Sequence, residues 1–504
     1  MAARRVFAID LGGSGGKCFV GVFEKDQFSL KEIYRFDNEW IPLYIGDSGG
    51  RVSERRYWDD LYLYREIIKG LRIYRQEIDE SLDSIGVDAW GTDGIVVTGE
   101  GDFLGRVYCY RDHRLDHMIE EVKERIDAER IYGITGIHFQ PFNISNQLLW
   151  FIRHRRDLLQ PGCTYLPTPA IFSFYLGNVR VVDSTMASVT QLMDAYSRQW
   201  STEILRKLSI PADLMPEIVT PGTIVGELLE PLAASVRLNR VKTVAVGSHD
   251  TASAYAAAPV ADKDEALIIS SGTWSLVGKL ISEPITTPEA MAANMSNEGG
   301  IGDIRFLKNC MGLWLVQELR RTWRIADGRE MGWGEMRRLV TEARPFTAFV
   351  DPDDRGFYNP SNMEEALTDF CKRTNQQAPK DRGTYLRVVY ESLALKYRTV
   401  AEEICRICGK PNRVVHIVGG GCRNEMLNQL TANATGLPVF SGPEEATAIG
   451  NILVQALGLR IIEGLEVAPS LIRQGFDIKK YDPNDTRLWE REYERFSNIL
   501  ASRK

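Results

Sequence analysis

Val6-Phe-Ala-Ile-Asp10-Leu-Gly-Gly-Ser-Gly-Gly-Lys17 reads as a buried apolar strand that ends in an acid and runs into a glycine-rich turn. Gly12, Gly13, Gly15 and Gly16 let backbone N–H groups approach an anion with no Cβ in the way. A Walker A loop is excluded, because Leu11 occupies its first glycine position and Cys18 stands where Ser or Thr must follow Lys17. A dinucleotide fingerprint is excluded too, since Lys17–Phe23 continues as a strand and not a helix. Asp10, at the end of the first strand, is placed to hold a hydrated magnesium ion directly or through water.

The same arrangement returns half a chain later, where Ser270-Ser-Gly-Thr-Trp-Ser275 joins strand-like Ala266–Ser270 to Thr273–Leu280. Two such units predict two similar domains facing one ligand. Further strands are expected at Ser84–Ala89, Thr243–Gly247 and Val414–Val418. Helical spacing marks Tyr57–Ile78, Asp116–Ala128, Ser145–Arg155, Thr384–Cys408, Glu425–Ala434 and Ala446–Leu457. Alternation of this kind is α/β architecture, and 504 residues exceed one ordinary core.

Lysine plus arginine number 61 against 68 acids, a net charge of −7 with no long run of either sign. That speaks against nucleic acid or an anionic membrane as partner, which would need a clustered basic surface. The start of the chain lacks the apolar core of a signal peptide, and no apolar run reaches the roughly 20 residues that span a bilayer. The eight cysteines are scattered, and Cys405-Arg-Ile-Cys408 lies alone inside a helical pattern. A cytoplasmic, reduced protein is expected. The sequence leaves the oligomeric state open.

Three more segments bear chemistry. Lys242-Thr-Val-Ala-Val-Gly247-Ser-His-Asp250-Thr251 ends a strand in polar residues where a helix begins. Asp250 there serves either as a helix cap or as a general base that takes the proton of an attacking hydroxyl. Val414-Val-His-Ile-Val-Gly-Gly-Gly421-Cys-Arg-Asn424 is a strand, three glycines and a helix, suited to a ribose and planar ring or simply to close packing. Ile85-Gly-Val-Asp88-Ala-Trp90-Gly91-Thr-Asp93 ends a strand in a polar edge that suits a pattern of sugar hydroxyls, or a buried Trp before a turn. His113 and His117 are spaced i, i+4 without a third ligand, which favours a solvated face over a metal site.

In this order the segments resemble the FGGY carbohydrate kinases from about Phe7 to about Leu457, and within that family the kinases of L-rhamnulose. Gly247-Ser-His-Asp-Thr-Ala-Ser253, Ser270-Ser-Gly-Thr-Trp-Ser-Leu276, Lys308-Asn-Cys-Met-Gly-Leu-Trp314, His416-Ile-Val-Gly-Gly-Gly-Cys422, Asn428-Gln-Leu430 and Gly136-Ile-His-Phe-Gln-Pro-Phe-Asn143 carry the resemblance. It implies two actin-like, ribonuclease-H-type α/β domains with the active site in the cleft between them. The expected bounds are 1–255 for the sugar domain, 256–485 for the ATP domain and 486–504 for a terminal helix.

By the same resemblance, Asp250 is the catalytic base and Asp10 lies near Mg²⁺. Gly13, Ser14, Gly15, Gly16 and Lys17 meet the ATP phosphates. Thr273, Gln317, Gly420, Gly421 and Asn424 take nucleotide positions; Gly91, Asp93, His249, Thr251 and Asn309 take sugar positions. The expected reaction moves a phosphoryl group from ATP to the C1 hydroxyl of L-rhamnulose, with L-fuculose, L-ribulose, D-xylulose or a non-catalytic nucleotide-binding regulator as alternatives. The chain departs from the family in Gly13-Ser-Gly-Gly-Lys17, where Ala-Ser-Ser-Gly-Arg is usual, and in the inserted-looking stretch Trp40–Arg56. Gly94 replaces a large apolar residue and is expected to enlarge the pocket for another ketose.

Overall fold

The computed structural model describes residues 3–24, 27–79 and 81–501. The chain divides into two compact units. The first comprises residues 1–259, 280–306 and 446–475, and the second 260–279, 307–445 and 476–504.

In the first unit, Arg4–Gly12 and Gly15–Glu24 form an antiparallel hairpin, and Arg4–Gly12 also pairs in parallel with Ser84–Ala89. Val6 to Ile9 are buried without alternation, as expected of a strand covered on both faces. Helix Asp60–Glu77 covers one face with Leu63, Ile67, Leu71 and Tyr74, a helical stripe, and is capped by Asp59, which accepts from Tyr62 N. Helix Ala446–Gly458 lies against the helix Asp250–Ala256 so closely that a Cβ on Gly450 would stand 1.8 Å from the Ser253 carbonyl oxygen. From it, Gln455 Nε2 donates to Phe7 O at 3.0 Å, and Asn451 Nδ2 to Asp88 Oδ2 at 2.5 Å.

The second unit repeats the theme. Ala266–Ser271 and Trp274–Ile281 are an antiparallel hairpin, and Ala266–Ser271 pairs in parallel with Val414–Val418. The long helix Arg382–Cys408 starts at Asp381, which accepts from Thr384 N, and stops at left-handed Gly409, where the sequence predicts it to end.

Two expectations change. Residues 116–128 are not one helix: Met118–Lys123 ends early and Ala128–Thr135 begins after Asp127, because Asp127 adopts an extended ψ of 138° and restarts the chain. The strand expected over Thr243–Gly247 is Lys242–Val244; beyond it Ala245 exchanges hydrogen bonds with Gly222 and Thr223, and Ser248 O accepts from Ala89 N. The terminal helix covers Thr486–Ala501, and residues 502–504 lie outside the described residues.

Candidate active site

The first hairpin turns at Gly13 and Ser14. Its shape is fixed from the third strand, Gln27–Asp37, and the residue after it. A Cβ on Gly16 would lie 2.2 Å from the Phe36 ring, and Asn38 Nδ2 donates to Gly12 O at 2.9 Å. Gly16 is therefore needed for the ring to pack; Gly13 and Ser14 form the turn, and Gly15 to Lys17 begin the second strand. Asp10 faces Lys17 across the hairpin and Asp88 across the parallel pair.

The polar end of Lys242–Val244 is stitched to the same place. Ala89 N donates to Ser248 O at 2.9 Å, and Ser248 Oγ donates to the buried Asp183 carboxylate. Asp250 is the first residue of its helix and does not cap it. Thr251 N and Thr251 Oγ1 both donate to Asp250 Oδ1, at 2.6 and 3.0 Å, and His249 Nε2 stands 3.5 Å from the same oxygen. One carboxylate oxygen is thus held by protein donors while Oδ2 is left to accept a proton. Burial, and after it the charge of Asp10, push the Asp250 pKa up to about 7. Burial and then Asp10 likewise hold Asp88 well above the usual carboxylate range.

These hard oxygen donors fit a magnesium ion. Among the described residues no group of three or more His, Cys, Asp or Glu side chains is arranged to hold a metal. Magnesium bound through one carboxylate needs none, because it takes its other ligands from water and phosphate. His113 instead meets Asp116 at 3.0 Å on the surface.

His249 is buried, and its ring lies over Gly91, where a Cβ would come within 2.5 Å of Nε2. Gly91, His249, Asp250 and Thr251 are thereby gathered at one point. Asp93 is near in sequence but committed elsewhere. Its Oδ2 accepts from Trp58 Nε1, Trp90 Nε1 and Tyr110 N, and its Oδ1 from Gln147 Nε2. With φ at 68° and no exposure, Asp93 ties the wall behind Trp90. Gly94 opens no room, because the buried Tyr165 fills it: a Cβ there would be 2.5 Å from the Tyr165 hydroxyl.

In the second unit the hairpin after Ser271 is clamped by Gly312 N donating to Thr273 O and Leu313 N to Gly272 O, at 3.1 and 2.9 Å. Thr273 Oγ1 donates to Gln317 Oε1 at 3.3 Å, which joins two expected nucleotide positions. Gly421 packs on Ser271 with no space for a side chain, its Cβ position being 2.0 Å from Ser271 Oγ. Gly420 faces open space. Asn424 Oδ1 is occupied as a helix cap, accepting from Leu427 N at 3.0 Å. Asn309 Oδ1 is buried without a protein partner, a group that calls for a donor.

Sequence reasoning missed Asn451, Gln455, Glu298, Arg305 and His138. Arg305 is fully buried; its Nη2 lies 3.1 Å from His249 Nδ1 and 3.2 Å from Glu298 Oε2. No spacing rule connects residues so far apart along the chain.

Residues 7–256 match the N-terminal domain, and 267–459 the C-terminal domain, of the FGGY family of carbohydrate kinases. A rhamnulokinase of Bacteroides thetaiotaomicron is 38% identical over 498 residues, 98% of this chain and 99% of that protein. The rhamnulokinase of Bacillus subtilis is 33% identical over 95% of both chains. In fold, the chain is similar to a ligand-bound xylulose kinase from Lactobacillus acidophilus, with a TM-score of 0.79 at 15% identity over 99% and 98% of the two chains. It is also similar to Plasmodium falciparum glycerol kinase with ADP, at 0.75 and 15% over 99% and 98%.

Proposed function

The chain belongs to the FGGY family of carbohydrate kinases, and on that premise we propose that it phosphorylates the C1 hydroxyl of L-rhamnulose with ATP. The observation that carries the reading is the state of Asp250: one oxygen held by Thr251, the other left to accept, on a carboxyl whose pKa stands near 7. The sugar is taken from the two rhamnulokinase relatives and from the filled space at Gly94, which removes the reason to expect a different ketose.

In the proposed step Asp250 Oδ2 takes the hydroxyl proton. The sugar oxygen bonds to the γ-phosphorus as the bond to the β–γ bridging oxygen breaks, and ADP leaves. Asp10 would hold a magnesium ion, which when bound would supply positive charge to the phosphate oxygens. Gly13 to Lys17 hold phosphate oxygens through N–H groups and the Lys17 charge. Thr273, Gln317, Gly420 and Gly421 seat the nucleotide, and Gly91, His249, Thr251 and Asn309 orient the sugar. The described residues include no helix able to cross a membrane, and all eight cysteines are free thiols, which suits action in the cytoplasm.

The test is sugar-dependent ADP release with Mg-ATP and a panel of L-rhamnulose, L-fuculose, D-xylulose, L-ribulose and glycerol. Fastest turnover on L-rhamnulose is expected. Preference for another ketose would overturn the substrate, and ATP binding with no release on any sugar would overturn catalysis.

A further inference from the structure

We propose that Arg305 locks the tautomer of His249, so that the ring carries its hydrogen on Nε2 and presents it to the side of Asp250. A guanidinium has only donors and does not deprotonate in a protein. Arg305 is fully buried, its Nε donates to Gly299 O at 2.9 Å, and its Nη2 lies 3.1 Å from His249 Nδ1. Nδ1 must therefore be the acceptor, and the neutral ring keeps its one hydrogen on Nε2, which stands 3.5 Å from Asp250 Oδ1.

The rival arrangement puts the hydrogen on Nδ1 and aims it at Glu298. Glu298 Oε2 is 3.5 Å from Nδ1, beyond the usual hydrogen-bond range, and only 3.2 Å from Arg305 Nη2. Glu298 thus serves as the buried counter-charge of Arg305. Its other oxygen lies 4.0 Å from His138 Nδ1, which closes the cluster. A charged imidazole is opposed as well: burial, then the charge of Arg305, hold the His249 pKa well below the usual histidine value.

The consequence is a hydrogen-bond chain with one direction. A sugar hydroxyl that bridges His249 and Asp250 has to accept from Nε2–H and can only donate to the carboxylate. Its proton is then aimed at the base before any phosphoryl transfer. Arg305 touches neither substrate nor reacting atoms in this account and is a positioning residue. The role assigned to the chain of bonds rests on the sugar-kinase reading; the tautomer itself does not, and is measured without sugar.

The experiment is ¹⁵N–¹H correlation of the imidazole rings in the full chain labelled at its six histidines, with the His249 signals assigned by their loss in His249→Gln. The expected result is a neutral ring with bare Nδ1 and protonated Nε2. A protonated Nδ1 in the wild-type protein would overturn the proposal outright, and this holds even if no Arg305 variant folds.

Arg305→Met is expected to populate the other tautomer and to raise KM for the ketose about tenfold or more, the scale of one charged hydrogen bond, with KM for ATP unchanged. Arg305→Lys, which keeps a buried cationic donor, should recover most of that loss. An Arg305→Met protein with the wild-type tautomer and the wild-type ketose KM would overturn it too. Absence of ketose turnover together with the expected tautomer would count against the sugar assignment and leave the lock standing.

Discussion

A Cβ built on Gly91 comes within 2.5 Å of His249 Nε2 and 2.7 Å of its Cδ2, so the histidine ring occupies the space any other residue at 91 would need. The ring cannot retreat freely, because Arg305 holds its far nitrogen and only 7% of the residue is exposed. Gly91→Ala should therefore tilt the ring away from Asp250. KM for the ketose is expected to rise about tenfold, the cost of one misplaced hydrogen bond, while KM for ATP stays put. Equal effects on both constants would mean a general disturbance rather than a displaced ring.

Asp88 separates two kinds of carboxylate. It has no exposure, accepts from Asn451 Nδ2 at 2.5 Å, and is held above the carboxylate range first by burial and then by Asp10. Burial and the neighbouring charge of Asp10 both favour its protonated form, of which Asn is a near copy. Asp88→Asn should keep turnover within a few-fold. Asp10→Asn, by contrast, should lose about 10²-fold or more, the scale of removing an electrostatic stabiliser of phosphoryl transfer. Steady-state kcat for the two variants decides it: an Asp88→Asn protein as slow as Asp10→Asn would show that Asp88 works ionised.

The first hairpin was legible in the sequence, for definite reasons. The strand–turn–strand of Val6–Phe23 has local causes, an apolar run and glycines, and Gly16 under Phe36 is the packing those glycines permit. Asp250 by itself reads either as a helix cap or as a base, and the family resemblance of residues 247–253 is what points to the base. The partition of the chain was less legible, because helix Ala446–Gly458 joins the first unit through Gly450 on Ser253, a contact no local pattern announces. Asp93 and Gly94 misled for the same reason: only the fold shows four protein donors converging on one carboxylate and a tyrosine filling the space beside a glycine.

The filled space at Gly94 gives a stability test. A Cβ there would meet Tyr165 Oη at 2.5 Å and the Leu166 carbonyl oxygen at 2.6 Å, and the latter is backbone. Gly94→Ala should destabilise the protein by about 1–3 kcal/mol, the usual cost of overpacking. Denaturant unfolding with matched m-values measures it. Were the substitution neutral in stability but a change in ketose preference, the position would border the substrate after all.

The pH profile tests the base itself. Asp250 is active as the carboxylate, and its pKa is lifted to about 7 by burial and by Asp10, against the opposing bonds from Thr251. A lifted acid pKa extends the protonated, inactive form upward in pH. In the free enzyme kcat/KM for the ketose should fall about tenfold per pH unit below about 7 and flatten above it. Asp250→Asn should lower kcat by at least about 10²-fold and abolish that acid limb, since no group is left to titrate at the acceptor position. A limb that survives in Asp250→Asn would place the titration on another residue, and near-normal turnover by that variant would remove Asp250 from the role of base.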